Sequence, residues 1–234
     1  MEIWERGQDL SHPARAELLL AAAFPQASPA ELGGLTLGQR DAVILRLREY
    51  TLGPDLTCVS ECPQCFGLLE TSVEVSSVLA GVDQPPARPQ LFHCRGTSFR
   101  LRPLTVADLR ECSACSDADE LRELLWRRCI VSARKNGMSA EPAEVDSETA
   151  EELGEAVAAI DPHSEIWLEQ QCSECGELFE TPLDAVDFFW REIAADARRT
   201  TAELQYLSTA YGWSRAKILE MSPARRRLYM EASE

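Results

Sequence analysis

Histidine is scarce in this chain. His12, His93 and His163 are the only three, and none has ligand spacing to another. That argues against a catalytic zinc held by imidazoles. The chain also lacks a glycine-rich phosphate loop, a Gly-x-Ser-x-Gly elbow, a His-Glu-x-x-His pair and a dinucleotide fingerprint. Gly33-Gly34, the nearest glycine cluster, has no lysine behind it. No local motif therefore encodes a standard enzyme site, and a non-enzymatic role is expected. Long apolar runs are missing too. The longest, Leu18 to Phe24, has seven residues, whereas a membrane span takes about 20. The start, Met1-Glu2-Ile3-Trp4-Glu5, shows neither a basic segment nor an apolar core, so no secretory signal and no membrane insertion are expected. Positive charge is outweighed: 23 Lys and Arg face 39 Asp and Glu, for a net charge of −16. Such a chain repels phosphate backbones, so nucleic acid is not an expected partner. The acid is concentrated from Ser139 to Glu165, which contains no Lys or Arg, and reads as a solvated helix face and loop.

Cysteine, by contrast, is plentiful. Nine residues, an odd number, suit metal ligands and buried thiols better than a disulfide framework. Four of them form two CxxC knuckles, Cys62-Pro63-Gln64-Cys65 and Cys172-Ser173-Glu174-Cys175. At the same offset of 110, Leu68 aligns with Leu178, Leu69 with Phe179, Glu70 with Glu180 and Thr71 with Thr181. The register extends back to Val43 and Leu153 and forward to Val78 and Phe188, which argues for an internal duplication. A CxxC turn presents two thiolates to one ion. The expectation is one structural Zn²⁺ on Cys62, Cys65, Cys172 and Cys175, two ligands from each half. A redox dithiol, which favours a strand-to-helix junction, fits less well because strand-like segments flank both knuckles. Cys112-Ser113-Ala114-Cys115 has no counterpart at the offset. Buried thiols and a second metal site both remain open for it. Cys58 and Cys94 read as small incidental residues and Cys129 as core. Glu70 and Glu180 could be an acid/base pair, but their equivalence favours a structural role.

Periodicity predicts a helix from Ser11 and Pro13 with Leu18, Leu19, Ala22 and Ala23 on its apolar face, and a second from Leu35-Thr36 to Tyr50. Strands are expected at Leu56 to Val59 and Leu68 to Val75, and a short helix at Ser76 to Leu79. Residues 81–90, with Pro85, Pro86 and Pro89, read as a linker. Beyond it come a strand at Ser98 to Leu101, a Thr105 cap, a helix from Asp119 to Arg134 ended by Asn136-Gly137, and a helix from Glu148 to Ile160. Strands Ile166 to Leu168 and Leu178 to Thr181 flank the second knuckle, and a helical tail follows. The fold class is thus α+β, mainly helical. It is read as duplicated helix–strand–CxxC–strand–helix units sharing a zinc-ribbon-like site: a first half at 1–80, the linker, a second half at 91–200, and a tail at 201–234.

The tail runs Tyr211-Gly212-Trp213-Ser214, Ile218-Leu219, Met221-Ser222-Pro223, then Arg225, Arg226, Arg227 and Tyr229. Together with Arg102-Pro103-Leu104-Thr105-Val106-Ala107-Asp108-Leu109 and the two knuckles, it resembles the T-even-phage type of baseplate hub subunit, or hub assembly chaperone. That family is found in phage tails and phage-derived contractile injection systems. The resemblance implies a component or assembly factor of such a particle. It would work in the bacterial cytoplasm during assembly and either leave or stay in the finished particle. Its partners would be other baseplate, hub and spike proteins, docking on Tyr211, Trp213, Arg225, Arg226, Arg227 and Tyr229. Apart from the resemblance, the same tail reads as a packed helix end with solvated arginines. The competing assignments are a zinc-ribbon adaptor in transcription or RNA handling, and a thiol oxidoreductase.

Overall fold

The computed structural model describes residues 1–80, 88–112, 115, 117–136, 138–140 and 146–232. Helix starts follow their caps. Helix α1 spans Glu2–Gly7 and α2 His12–Ala23, the latter with Pro13 in its first turn behind Ser11. Helix α3, Pro29–Gly33, begins at a capping box in which the Ser28 hydroxyl accepts from the Glu31 amide and Glu31 accepts from the Ser28 amide. Helix α4, Leu37–Leu52, starts the same way, with Thr36 and Gln39 exchanging hydrogen bonds of 3.3 and 3.0 Å. Pro29 is the first residue of α3, where its missing N–H costs nothing.

Strands β1, Asp55–Glu61, and β2, Leu68–Glu74, form an antiparallel hairpin, followed by α5, Val75–Val78. Next come β3, Gln90–Cys94, and β4, Thr97–Leu101. Residues 81–87 of the expected linker lie outside the described residues. Helices α6, Val106–Cys112, and α7, Ala118–Cys129, lead into β5, Ile130–Lys135, and β6, Met138–Ala140. These four strands pair antiparallel in the order β3-β4-β5-β6. Helix α8, Ser147–Ile160, is capped by Asp146, whose carboxylate accepts from the Thr149 amide at 2.7 Å. A 3₁₀ turn at Pro162–Ser164 leads to a second hairpin, β7, Trp167–Gln171, and β8, Leu178–Pro182. Helix α9, Ala185–Tyr211, and the short α10, Arg215–Leu219, and α11, Pro223–Glu231, complete the chain.

Two compact units result, Leu10–Asp187 and Met1–Asp9 with Phe188–Glu234. In the first, one apolar cluster fills the inner face of the four-stranded sheet. Cys94, Phe99, Leu101, Ile130 and Ala133 meet Leu153 and Ile160 of α8. A second contact joins the entries of α4 and α6. Thr36 bridges Thr105 antiparallel, and the Leu37 and Val106 amides donate to the Leu104 and Leu35 carbonyls. Thr105 caps α6 through Asp108, as its sequence suggested.

Helix α7 is shorter than expected. It stops at Cys129, and the segment assigned to its last turns is β5, with Ser98 opposite Arg134 and Phe99 opposite Ala133. Branched Ile130 and Val131 favour the extended chain, and Ile130 and Ala133 are buried against the sheet's core. Asn136, with φ of 53°, turns the chain into β6 and does not end a helix. On α2 the buried residues are Ala16, Leu18, Leu19 and Leu20, whereas Ala22 is exposed, one step off the expected face.

In the second unit, Leu207 and Ile218 are fully buried. Arg226 is buried as well, donating to Glu203 at 2.7 Å and to the Met221 carbonyl at 2.8 Å. Of the three arginines expected to dock partners, Arg226 has its guanidinium committed inside the unit, and Arg225 and Arg227 are exposed.

Removing one partner of a buried ion pair strands the other charge. Arg226→Ala is expected to destabilise its unit by about 3–5 kcal/mol in denaturant unfolding. Arg227→Ala should change stability by less than about 0.5 kcal/mol. A second prediction concerns Asp184, which caps α9 by accepting from the Asp187 amide and pairs with the His12 ring at 2.8 Å. Burial opposes its ionisation, but the His12 ring and the Asp187 amide outweigh burial and hold the carboxyl down to about 2. A lowered folded value means the contribution is complete above the ordinary carboxylate range near 3.9 and is lost as pH falls toward 2. Asp184→Asn should therefore flatten the acid limb of a stability profile between about pH 4 and 2.

Candidate metal centre

Each knuckle is the tip of a hairpin. The last pair of the first hairpin is Glu61 opposite Leu68, and that of the second is Gln171 opposite Leu178. Within each tip the first cysteine closes the turn twice. Its amide donates to the carbonyl five residues on, Cys62 to Gly67 and Cys172 to Glu177. Its carbonyl accepts from the amide four residues on, of Phe66 and of Gly176. That fourth residue is left-handed in both, at φ of 60° for Phe66 and 79° for Gly176. Glycine takes this conformation freely and phenylalanine does so at a cost. The turn is thus imposed on the first knuckle against its own side chain.

The two tips meet, and all four sulfurs lie within 4.8 Å of one another. Cys62 Sγ is 3.6 Å from Cys175 Sγ, and Cys65 Sγ is 3.6 Å from Cys172 Sγ. These gaps are far longer than a disulfide bond of about 2.05 Å. They are close to the edge of about 3.8 Å expected for sulfurs at 2.3 Å from a central tetrahedral ion. Four cysteines brought together in this way could hold a metal ion. Cys62 and Cys172 are buried, Cys65 is half-buried and Cys175 exposed.

The arrangement has a local two-fold symmetry. Exchanging positions at the offset of 110 turns the Cys62–Cys175 pair into the Cys172–Cys65 pair, and the two distances are equal. Positions equivalent under that exchange also meet each other. Ser60 donates to Gln170 across the centre, and Leu69 and Phe179 pack together against the cysteines. Residues that meet their own equivalents lie at a two-fold axis. The likeness extends outward. Helices α4 and α8 begin at positions 37 and 147, after caps at Thr36 and Asp146, and α5 and α9 begin at 75 and 185.

Backbone amides set the charge on the sulfurs. The Cys175 amide, helped by that of Glu174, holds the Cys172 thiol down to about 7. The Gly67 amide draws on Cys65 in the same sense, but the Cys172 sulfur, burial and the other two thiols outweigh it and push Cys65 up to about 12. At Cys175 the Glu177 amide is likewise outweighed, by burial and the Cys172 sulfur, and its value rises. One thiolate thus forms easily and its neighbours then resist ionisation. A bound cation removes that conflict, because it favours the thiolate at every ligand. Glu174 adds a carboxylate 3.9 Å from Cys65 Sγ. It leans into the space over Gly67, where an added Cβ would sit 2.7 Å from its oxygen.

The remaining cysteines do not join this cluster. Cys94 is in the sheet core and donates to Glu152 at 2.9 Å. Cys129 is buried, and burial pushes its thiol up to about 12. Cys112 is buried and Cys115 half-buried, and neither belongs to a metal-binding group among the described residues. Glu70 and Glu180 are exposed on their hairpins, opposite Val59 and Glu169. Tyr211, Trp213 and Tyr229 form one aromatic cluster. Tyr211 stacks on Trp213 at 4.5 Å, Tyr229 meets both edge-on, and the Tyr211 hydroxyl donates to the Tyr229 carbonyl. Sequence reasoning missed Ser60, Gln170 and Glu174, whose signal was only their place at or beside the offset. No protein-family model, curated protein or solved structure matches the chain.

If the four sulfurs hold one ion, the chain should bind one equivalent of divalent metal, and the Cys62→Ser/Cys65→Ser and Cys172→Ser/Cys175→Ser variants should each lose it. Chelation should lower the melting temperature by at least about 10 °C, the shift that roughly 3–4 kcal/mol produces in a chain of this size. A melting curve indifferent to chelator would count against the assignment.

Proposed function

We propose that this chain is a non-enzymatic part of a contractile, phage tail-like particle, acting at the baseplate hub as a component or assembly factor. One structural zinc would hold its hairpins together. Four cysteine ligands at tetrahedral spacing, with no histidine or open position among them, are the donor set of closed, structural zinc sites. We further infer that the two hairpin units arose by internal duplication. Support comes from their equal turns, their equivalent helix starts and the pairing of equivalent residues across the centre.

The observation that carries the functional reading is the C-terminal sequence Tyr211-Gly212-Trp213-Ser214 through Arg225 and Tyr229, the part most like the hub family. Its aromatic cluster supports a rigid tail end. Around it Arg225 and Arg227 are exposed, as are Leu219 at 48% and Leu228 at 62%. Aliphatic and cationic side chains displayed on a fixed support suit protein recognition, with arginine among the residues enriched at binding hot spots. Among the described residues no helix is long and apolar enough to cross a membrane.

A tagged chain expressed in its native background is expected to co-sediment with sheathed particles, or to be captured with soluble hub or wedge proteins. The Arg225→Glu/Arg227→Glu/Leu228→Asp variant should lose that association by about tenfold or more while keeping its melting temperature. A chain found with neither would sink the baseplate reading. Salt-sensitive retention on DNA or RNA would favour a zinc-ribbon adaptor, the alternative that the two CxxC hairpins themselves suggest.

A further inference from the structure

An open apolar cleft lies in the unit Leu10–Asp187, away from the cysteines. Leu121, Leu125 and Trp126 of α7, Val157 of α8, and Leu37 and Leu104 line a space of about 380 Å³. Gly154 faces the Trp126 ring: an added Cβ there would sit in van der Waals contact with the indole, at 3.6 Å. Volume and lining are those of a binding site, with few polar groups in a largely apolar wall. The lining of α7 from Leu121 to Cys129 covers about 12 Å, two helical turns.

Acidic side chains stand at the mouth. Glu165 belongs to the lining, and Glu151 and Glu155 are exposed on α8. By helical spacing both flank the stripe of Gly154 and Ala158 on its solvent side. Among the described side chains of α7, Arg127 pairs with Glu123 and Arg128 with Glu111. The whole chain reinforces the sign, at −16.

We propose that this cleft receives the apolar face of a basic amphipathic helix from a partner protein. Two aliphatic side chains one turn apart would enter between α7 and α8, and lysines or arginines beside them would meet Glu151, Glu155 and Glu165. The mode is helix-in-groove recognition, in which apolar anchors give affinity and rim charges give orientation and encounter rate. The inference rests neither on the metal nor on the baseplate reading, since no cysteine of the cluster and no residue of the tail lines the cleft.

The test uses the full metal-loaded chain and a fluorescent helical peptide of about 14 residues, four turns, patterned from leucine and lysine. Controls are a scrambled peptide of the same composition and a leucine/glutamate peptide of the same pattern. The expected result is saturable binding of the patterned basic peptide alone. Gly154→Leu, which fills the cleft beside Trp126, should weaken it at least about tenfold, the loss of a buried anchor. Glu151→Gln/Glu155→Gln/Glu165→Gln should weaken it and reduce its salt dependence. Ala158→Leu, on the same helix, serves if Gly154→Leu lowers the melting temperature. Equal binding of the scrambled or acidic peptide, or binding indifferent to filling the cleft, overturns the proposal. So does a concentration-dependent dimer that Gly154→Leu abolishes, which would make a second copy the occupant. Uptake of the apolar dye anilinonaphthalene sulfonate without peptide binding would assign the cleft to small molecules and overturn it as well.

Discussion

Four sulfurs packed 3.6 to 4.8 Å apart are the constraint on which the middle of this protein depends. Two-stranded hairpins have little stability of their own in water, and both hairpins here leave one face to solvent. What each buries is a single row, Leu56 and Leu69 in one and Leu168 and Gln170 in the other. The core between the tips is correspondingly small: two buried cysteines, Leu69 and the half-buried Phe179. An ion held by all four thiolates would supply what so small a core cannot, and would join residues 107 positions apart. The left-handed Phe66 fits that account, because its turn satisfies the cluster and not its own side chain.

Charge sorts the rest of the surface. Acid gathers on α8 and around the α7/α8 cleft, while the arginines of the last helix stand in a different compact unit. Within that unit the tail divides between support and display. Tyr211, Trp213 and Tyr229 hold one another, Arg226 is bound to Glu203, and Arg225, Arg227, Leu219 and Leu228 face outward. The sequence motif alone makes no such division, because neighbouring arginines on a helix point in directions about 100° apart.

How much was legible follows from which interactions are local. Thr105 could be read as a cap because a cap is a matter of four consecutive residues. The knuckles and their partnership were legible because the same pattern is written twice, at an offset of 110. Strand β5 was not. Leu121 to Cys129 carries a helical period, and only pairing with β4 and the bulge between Arg100 and Leu101 decides that Ile130 leaves the helix. Nor was the burial of Arg226 readable, since its partner Glu203 sits 23 residues earlier on another helix. The α7/α8 cleft belongs to the same class: it is lined by helices whose apolar residues look like ordinary core in the sequence.

A site with two-fold symmetry has a consequence for how this chain folds. Because the Cys62 knuckle and the Cys172 knuckle present the same turn and the same donors, each is also a fair match for its own copy on another molecule. Nothing in the thiol geometry tells the correct partner from a stranger. The choice is left to the tether, which makes the intramolecular partner far more concentrated than any other while the protein is dilute. Crowding of nascent chains erodes that advantage, and knuckles exchanged between chains would bind the ion as well as the native pair does. If the four thiols take up an ion, correct assembly depends on its arriving after the two hairpins of one chain have met.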